Sequence, residues 1–396
     1  MTRRGEPQRA LSLAYASSFF GGTLSVLVLV FASTFLATVA ERFGSADLAA
    51  AAALAMVLVV TAHHGSSLAA AAMLSLGLFI STIGVETAYG SVRYTFGTTW
   101  LLGGIPLVSM ILGLFAISQG IFLISSGPAK ETKQPEINRH MFGGFLEALS
   151  YPKTLLRSSG FGIGMGILPG VGEFLAQFFS YSTARKRSKT PELFGKGAPE
   201  GIIASEAANN AVPAAALIPL LALGIPGEIL TAMMLAVFMV HNVDPGPALF
   251  TDNQEFVSGL YLSLFLMNFV IVAFLLSMTR WIALVTRIDN RLIGILILCF
   301  AMVGSYSVNY RITDPMIAVG FGILGFALRR ANIPMVPITL GLVLGPILET
   351  RIGQAIGSNG GDWTVFLTRP ISLCLVLVMA ALIVTSVIRH LRRVHG

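Results

Sequence analysis

Long apolar runs separated by short polar stretches fill most of this chain. Several runs approach the ~20 apolar residues that a helix needs to cross a membrane. They are too long for the strands of a transmembrane barrel and lack the strict alternation of such strands. We therefore predict an all-α polytopic membrane protein with about ten transmembrane helices. The ten unbroken segments lie at residues 11–39, 46–62, 66–86, 101–126, 228–250, 256–279, 292–309, 313–328, 333–348 and 364–388.

Two further apolar segments, 158–183 and 199–226, are interrupted by Gly and Pro. The first contains Gly-Ile-Leu-Pro-Gly-Val-Gly, and the second ends in Leu-Gly-Ile-Pro-Gly. An unsatisfied backbone group costs several kcal/mol in lipid, so a break at membrane depth is tolerated only inside protein or beside a watery cavity. We predict that 158–183 is a re-entrant hairpin turning at residues 168–170, and that 199–226 is a second hairpin or a kinked pair.

Charged residues are scarce and unevenly placed. The chain is 55% hydrophobic and 11% charged, whereas a soluble domain carries about 25% charged residues. The net charge is +7, and the cations gather in a few loops, which is typical of cytoplasmic loops and does not indicate a nucleic-acid partner. If the N-terminus is cytoplasmic, ten crossings and two hairpins place every main basic cluster, and both termini, on the cytoplasmic side of the bilayer.

A polar triplet lies between the two breaks. Glu206, Asn209 and Asn210 share one face if this segment is helical, because residues three and four apart are neighbours on a helix. A carboxylate and two amides could coordinate a cation, or Glu206 could carry a proton. Because charge buried in lipid is costly, we favour a coupling-ion role for Glu206. The alternative is a structural polar patch that binds helices together.

The breaks themselves are candidates for substrate binding. Glycine lets the backbone approach a ligand, and the free N–H groups at the start of a half-helix favour an anion such as a carboxylate. The alternative is a kink with close helix packing through small residues. With the two amides of the triplet, the predicted substrate-binding residues are Gly166, Leu168, Pro169, Gly170, Gly172, Asn209, Asn210, Gly224, Pro226 and Gly227.

Other residues carry weaker signals. Glu173 and Glu228 directly follow the breaks, and we expect them to satisfy helix N-termini. Arg93 is expected to anchor a membrane edge. We find no catalytic motif, no paired metal ligands and no Walker loop, so we predict no enzyme activity, no metal and no cofactor. Transport would then be driven by an ion gradient, with Na⁺ and H⁺ both open, or by a separate subunit.

Around the two Gly/Pro breaks and the polar triplet between them, the chain resembles the large membrane subunit of tripartite tricarboxylate transporters, the TctA family. The resemblance is close over residues 160–250 and weaker elsewhere, including Arg93-Tyr-Thr-Phe-Gly. It implies uptake of tri- or dicarboxylates across the bacterial inner membrane, driven by an ion gradient. It also implies a periplasmic solute-binding protein and a small membrane subunit as partners. The close part includes Gly-Ile-Leu-Pro-Gly-Val-Gly, Phe-Gly-Lys-Gly-Ala-Pro-Glu-Gly, Glu-Ala-Ala-Asn-Asn, Leu-Gly-Ile-Pro-Gly and Pro-Gly-Pro.

One departure from the family pattern concerns the N-terminus. Family members usually begin with a further block that carries its own Leu-Pro-Gly-type and Asn-Ile-Pro-Gly-type motifs, and this chain begins like the stretch after that block. A mis-called start, a truncation or a fragment paired with another polypeptide would each explain this. The alternative function is therefore a non-transporting membrane fragment or an assembly component. We expect one transmembrane transporter domain, with 1–127 as the rest of a first half, 128–157 as a cytoplasmic loop and 158–396 as a second half.

Overall fold

Helices make up most of the protein. The computed structural model describes residues 1, 6–61, 66–86, 90–126, 143–170, 172–285 and 288–394. The helices are α1 (Pro7–Ala40), α2 (Ser45–Thr61), α3 (Ser67–Ser81), α4 (Leu107–Ile111), α5 (Ser118–Ser125), α6 (Gly143–Leu149), α7 (Pro152–Ile167), α8 (Gly172–Arg187), α9 (Pro199–Leu223), α10 (Ile229–Val240), α11 (Leu249–Asp252), α12 (Gln254–Val285), α13 (Asn290–Asn309), α14 (Thr313–Arg330), α15 (Val336–Ser358), α16 (Val365–Thr368) and α17 (Pro370–Val394). The all-α polytopic class is confirmed.

Six helices in the described part of the chain are long and apolar enough to cross a membrane. Four shorter apolar helices accompany them. The number of about ten transmembrane helices stays a prediction, because the six include α9, which was predicted as a broken segment. The six are Pro7–Ala40, Leu107–Ser125, Pro199–Leu223, Gln254–Thr279, Asn290–Asn309 and Val336–Ser358, and the four are Ser45–Thr61, Ser67–Ser81, Ile229–Val240 and Pro370–Ser386.

The chain folds as two compact units that alternate along the sequence. Unit 1 comprises Met1–Ala40, Lys130–Gly227 and Asp244–Ile288, and unit 2 comprises Glu41–Ala129, Glu228–Val243 and Asp289–Gly396. Of the predicted cytoplasmic loop, residues 128–142 lie outside the described residues. The remainder contains α6 and the start of α7. The predicted division into a single transporter domain with two halves stays a prediction.

Helix α9 is the centre of unit 1 and packs against α1, α7 and α8. Alanine, the best helix former, occupies many of its buried positions, and Pro199 stands in the first turn where its missing N–H costs nothing. A Cβ added at Gly21 of α1 would lie 2.8 Å from the Ala207 Cα. A Cβ at Gly166 of α7 would lie 2.6 Å from the Val212 carbonyl oxygen. The two neighbours therefore approach α9 as closely as bare backbone allows.

The predicted turn at residues 168–170 is present. Helix α7 ends at Ile167, α8 starts at Gly172, and the two helices pack against each other and against α9. Gly170 and Gly172 have φ of +79° and +69°, a left-handed conformation that glycine adopts at little cost. The helix–break–helix element thus agrees with the sequence pattern, and its re-entrant position in a bilayer stays a prediction.

The segment 199–226 corrects the prediction of a second hairpin or kinked pair. It is one helix up to Leu223, although Pro213 and Pro219 stand inside it. Each proline removes one i→i−4 hydrogen bond, yet neighbouring helices cover most of α9 and hold it continuous. The following segment also differs, because α10 stops at Val240 and a loop occupies the remaining residues to 248.

In unit 2, α15 packs on α2 and α3. Gly77 of α3 and Gly341 of α15 face each other, and a Cβ at Gly341 would lie 2.5 Å from the Leu74 carbonyl oxygen. Two short strands, β1 (Gly84–Val85) and β2 (Val92–Arg93), form an antiparallel hairpin between α3 and α4. The sequence analysis did not anticipate this hairpin.

Helices α4 and α5 form one continuous rod through a π-helical segment, Leu112–Ile117. Such i→i+5 segments accommodate extra residues within an α-helix. Within the segment, Gly113 lies against Ala318 of α14. After it, a Cβ at Gly120 would lie 3.0 Å from the Gly294 carbonyl oxygen of α13.

Contacts within each unit join helix ends that the charge-based topology places on one side. In unit 1, Arg9 bonds to Glu147 at 2.6 Å. In unit 2, Arg369 bonds to Asp47 at 2.9 Å, just ahead of α17 and at the start of α2. Both ion pairs are compatible with the predicted sides of these helix ends, while the order of crossings and the assignment of the cytoplasmic side stay predictions.

We predict that Gly21→Leu lowers the thermal stability of the purified protein, because its side chain would be forced into the α9 backbone. Overpacking of this kind typically costs about 1–3 kcal/mol. The matched control is Gly259→Leu on α12, where an added Cβ meets nothing within 4 Å. Thermal unfolding in detergent compares them, and an equal effect of both changes would contradict the close α1–α9 packing.

Candidate functional site

The two Gly/Pro breaks contact each other. The Gly170 N–H donates a hydrogen bond of 2.7 Å to the Gly227 carbonyl oxygen. A Cβ added at Gly227 would lie 3.1 Å from the Pro169 Cα, so a larger residue fits there only if its neighbour shifts by a few tenths of an ångström. Pro226 and Gly227 are buried, whereas Leu168 is 44% exposed. The structure therefore brings together two motifs that are nearly sixty residues apart in sequence.

Gly224 has a separate structural role at the end of α9. It adopts φ +71° and ends the helix in the left-handed conformation. A Cβ there would lie 2.9 Å from the Pro245 carbonyl oxygen, and the Gly246 N–H donates to the Leu221 carbonyl oxygen at 2.9 Å. The Pro-Gly-Pro motif thus closes the carbonyl end of α9.

The N-terminus of α10, directly after the second break, is capped by its own residues. Glu228 and Thr231 form a reciprocal capping box, in which the Glu228 N–H donates to the Thr231 hydroxyl at 3.0 Å. This agrees with the expected role of Glu228. At the other break, Glu173 lies in the first turn of α8, while Val171 lies outside the described residues. Each of the two helices that follow a break therefore has a carboxylate at its cap or in its first turn.

A polar seam runs along α9 where it meets α1. Asn210 donates a 2.7 Å hydrogen bond to the Ser18 hydroxyl, and this hydroxyl lies 3.5 Å from the Glu206 carboxylate. Asn210 also donates to the Glu206 carbonyl oxygen at 3.1 Å. No described Lys or Arg lies within ion-pair distance of the Glu206 carboxylate. Glu206 is thus a half-buried carboxylate, and among the described residues its side chain accepts a hydrogen bond from the Ser18 hydroxyl without a cation beside it.

Asn209 faces the hairpin. The Gln177 amide of α8 donates to the Asn209 side-chain oxygen at 2.7 Å. Pro213 stands four residues after Asn209 and has no N–H, so the Asn209 carbonyl lacks its ordinary helical partner. A main-chain carbonyl oxygen without its helical donor is a ligand suited to a hard cation.

The seam and the joined breaks form two separate groups along α9, the first where α9 meets α1 and the second beyond its contact with α7. Gly166 lies against Val212 and Ala215, so the hairpin passes the level of Asn209 before reaching its tip. At ~1.5 Å of rise per residue, the five residues from Asn210 to Ala215 span about 7.5 Å. The predicted site residues therefore lie along one short stretch of unit 1 and do not make a single cluster.

Most of the chain matches one known protein family. The family model described as "Tripartite tricarboxylate transporter TctA family" matches residues 1–340 of the chain. This covers most of the sequence and all of the site described above. The chain belongs to the TctA family.

Two relatives come from Agrobacterium vitis. The "Uncharacterized 52.8 kDa protein in TAR-I ttuC' 3'region" is 34% identical over 394 residues, which are 99% of this chain and 78% of the relative. The "Uncharacterized protein in TAR-II ttuC' 3'region" is 38% identical over 225 residues, which are 55% of this chain and 93% of the relative. No solved structure matches this TctA-family chain.

Three polar residues of this TctA-family site were missed by the sequence analysis: Ser18, Gln177 and Asn268. Asn268 lies on α12, and its side-chain oxygen would be 2.6 Å from a Cβ added at Gly22 of α1. Each is a polar residue within a helical segment, which is the signal that could have found them. The pairing of Ser18 and Gln177 with α9 depends on tertiary packing that no local pattern reports.

Arg93, in the weaker part of the TctA resemblance, is engaged in unit 2. It makes two hydrogen bonds to the Glu349 carboxylate, at 2.7 and 3.0 Å. These bonds stabilise the charged guanidinium and raise the pKa of Arg93. Arg93 thus fastens the β-hairpin to α15. Among the described residues, no group of three or more His, Cys, Asp or Glu could hold a metal ion.

We predict that Pro169→Cys and Gly227→Cys together form a disulfide under mild oxidation. A Cβ at Gly227 would lie 3.6 Å from the Pro169 Cβ, within the ~3.5–4.5 Å of native disulfides. Mass spectrometry of tryptic peptides detects the cross-link in a background that lacks Cys299 and Cys374.

The matched control pairs Gly164→Cys with Gly227→Cys, because a Cβ at Gly164 meets nothing within 4 Å. No cross-link in the first pair, or equal yields in both, would contradict the contact between the breaks.

Proposed function

We propose that this TctA-family protein is the large permease subunit of a binding-protein-dependent transporter that takes up small organic anions, tri- or dicarboxylates, using an ion gradient. The membership of the family carries the transporter class. The observation that most supports a transport site is the contact between two broken segments, Gly170 N–H to Gly227 carbonyl, beside polar residues of α9. Broken helices near polar side chains are how many secondary transporters build their sites.

In this proposal the joined breaks hold the substrate carboxylate. Leu168, Pro169, Gly170 and Gly172 lie at the tip of the hairpin, where α8 begins, and Gly166 is buried in the last turn of α7. A helix start offers free N–H groups and a favourable dipole for an anion. Gly224, Pro226 and Gly227 supply the facing side through the second break.

In this proposal the polar seam, together with the neighbouring Asn209, binds the coupling ion. Asn209 and Asn210 offer amide oxygens, and the Asn209 carbonyl lacks its helical partner because of Pro213. Glu206 supplies the negative charge that a Na⁺ site needs, or else carries the proton itself. Both ions fit the oxygen-rich seam, and transport driven by imposed Na⁺ or H⁺ gradients distinguishes them.

The expected surroundings follow from the same proposal. The protein would lie in a bacterial inner membrane with both termini cytoplasmic, since the basic clusters favour that side. A periplasmic solute-binding protein would deliver the carboxylate, and a small membrane subunit would complete the transporter. A chain that takes up no carboxylate with both partners present would instead favour a non-transporting assembly component.

We predict that Glu206→Gln lowers ion-driven uptake at least about tenfold, because the amide cannot carry a charge or a proton. Uptake of labelled citrate and succinate into proteoliposomes containing all three components measures this effect. Substrate exchange without a gradient should fall much less, since the breaks that bind carboxylate are unchanged.

The control for this variant is Glu192→Gln, an exposed carboxylate in the loop before α9. It should transport like the parent protein. Gradient-driven uptake that survives in Glu206→Gln would remove Glu206 from the coupling mechanism and leave it as a structural polar group.

A further inference from the structure

The basic end of the α7–α8 hairpin contains an arginine, Arg157, whose Nε–H lacks a hydrogen-bond acceptor among the described residues. The Arg157 Nε is buried and has no hydrogen-bond partner in the described structure. The charges that act on it are Arg187 and Glu200, and the Glu200 carboxylate instead accepts a hydrogen bond from the Ser188 hydroxyl. A buried donor without a partner costs ~1–3 kcal/mol, so an acceptor that reached Arg157 would bind favourably.

Positive charge is in excess around Arg157. Between residues 150 and 201, seven cations lie near this end of unit 1, against the two carboxylates of Glu192 and Glu200. The seven are Lys153, Arg157, Arg185, Lys186, Arg187, Lys189 and Lys196. Three of them, Arg185, Lys186 and Arg187, are exposed in the last turn of α8. The surface therefore offers several guanidinium and ammonium donors to an anion.

A strip of exposed apolar positions leads away from this charge along α7, and it is called the α7 channel here. Leu156, Gly160, Gly164 and Leu168 are exposed and follow one another at intervals of four, so each lies about one turn beyond the last and the strip winds slowly around the helix. A Cβ added at either glycine would meet nothing within 4 Å. The twelve residues from Leu156 to Leu168 span about 18 Å at ~1.5 Å each, close to half of the ~30 Å hydrocarbon core.

We propose that an acidic phospholipid binds here, with its phosphate between Arg157 and Arg187 and an acyl chain along the α7 channel. Arginine binds phosphate through paired charge-assisted hydrogen bonds, and basic pockets at the cytoplasmic ends of helices recognise anionic headgroups. Free phosphate shares the headgroup chemistry but leaves the channel empty. The site lies at the base of the hairpin and does not depend on the proposed transport function.

Native mass spectrometry of the purified full-length protein in detergent tests this proposal, with phosphatidylglycerol and phosphatidylcholine added in turn. We expect phosphatidylglycerol to remain bound at least about tenfold more tightly than phosphatidylcholine. Arg157→Gln should remove most of this preference. Lys196→Gln, which deletes an exposed cation of the same loop, should retain it. Equal losses in both variants would overturn the proposal in favour of diffuse charge attraction.

A second variant keeps the test decisive if Arg157→Gln does not fold. Gly160→Leu fills the channel in open space and leaves every charge in place. It should weaken phosphatidylglycerol binding severalfold. Unchanged phosphatidylglycerol binding in Gly160→Leu would overturn the position of the acyl chain along α7. Full displacement of the lipid by millimolar inorganic phosphate would assign the site to free phosphate and overturn the lipid.

Discussion

The approach of α9 to the backbones of α1 and α7 is the constraint on which the rest of unit 1 depends. In a bilayer, apolar side chains gain little by leaving lipid for protein, so helices associate through close packing of small residues and through polar contacts. Gly21 and Gly166 let α9 come within reach of its neighbours' main chains. This fixes the height of the hairpin along α9, and the fixed height places Pro169 beside Gly227.

The same close packing explains how polar groups survive inside so apolar a protein. Ser25 of α1 donates a 2.6 Å hydrogen bond to the Ala211 carbonyl oxygen, and Ser180 of α8 donates to the Ala204 carbonyl oxygen at 2.8 Å. Both bonds join a side chain of one helix to the backbone of another. They need the short interhelical distance that glycine and alanine provide. The same small residues therefore allow both close packing and hydrogen bonding between the helices.

Local patterns were sufficient for features that depend on a few consecutive residues. The turn at Leu168 to Gly170 follows from Gly and Pro, and the shared face of Glu206 and Asn210 follows from helical spacing. The prediction of a hairpin or kinked pair at 199–226 is wrong, because neighbouring helices hold α9 continuous through Pro213 and Pro219, and a proline breaks a helix only where nothing else supports it. Ser18 was not recognised as a partner of Asn210 because the two are 192 residues apart, and only the fold brings them together.

The π-helical segment between α4 and α5 has a consequence for how this protein can vary. Each residue added to or removed from a helix turns everything beyond it by about 100°. The segment Leu112–Ile117 sets the angle at which Gly120 faces Gly294 and at which Gln119 accepts a hydrogen bond from Arg329. Because its wider turns take up extra residues, a change of one residue in chain length is absorbed better within this segment than in the regular helix on either side. The segment is therefore the part of the α4–α5 rod where length can vary without turning Gly120 away from Gly294.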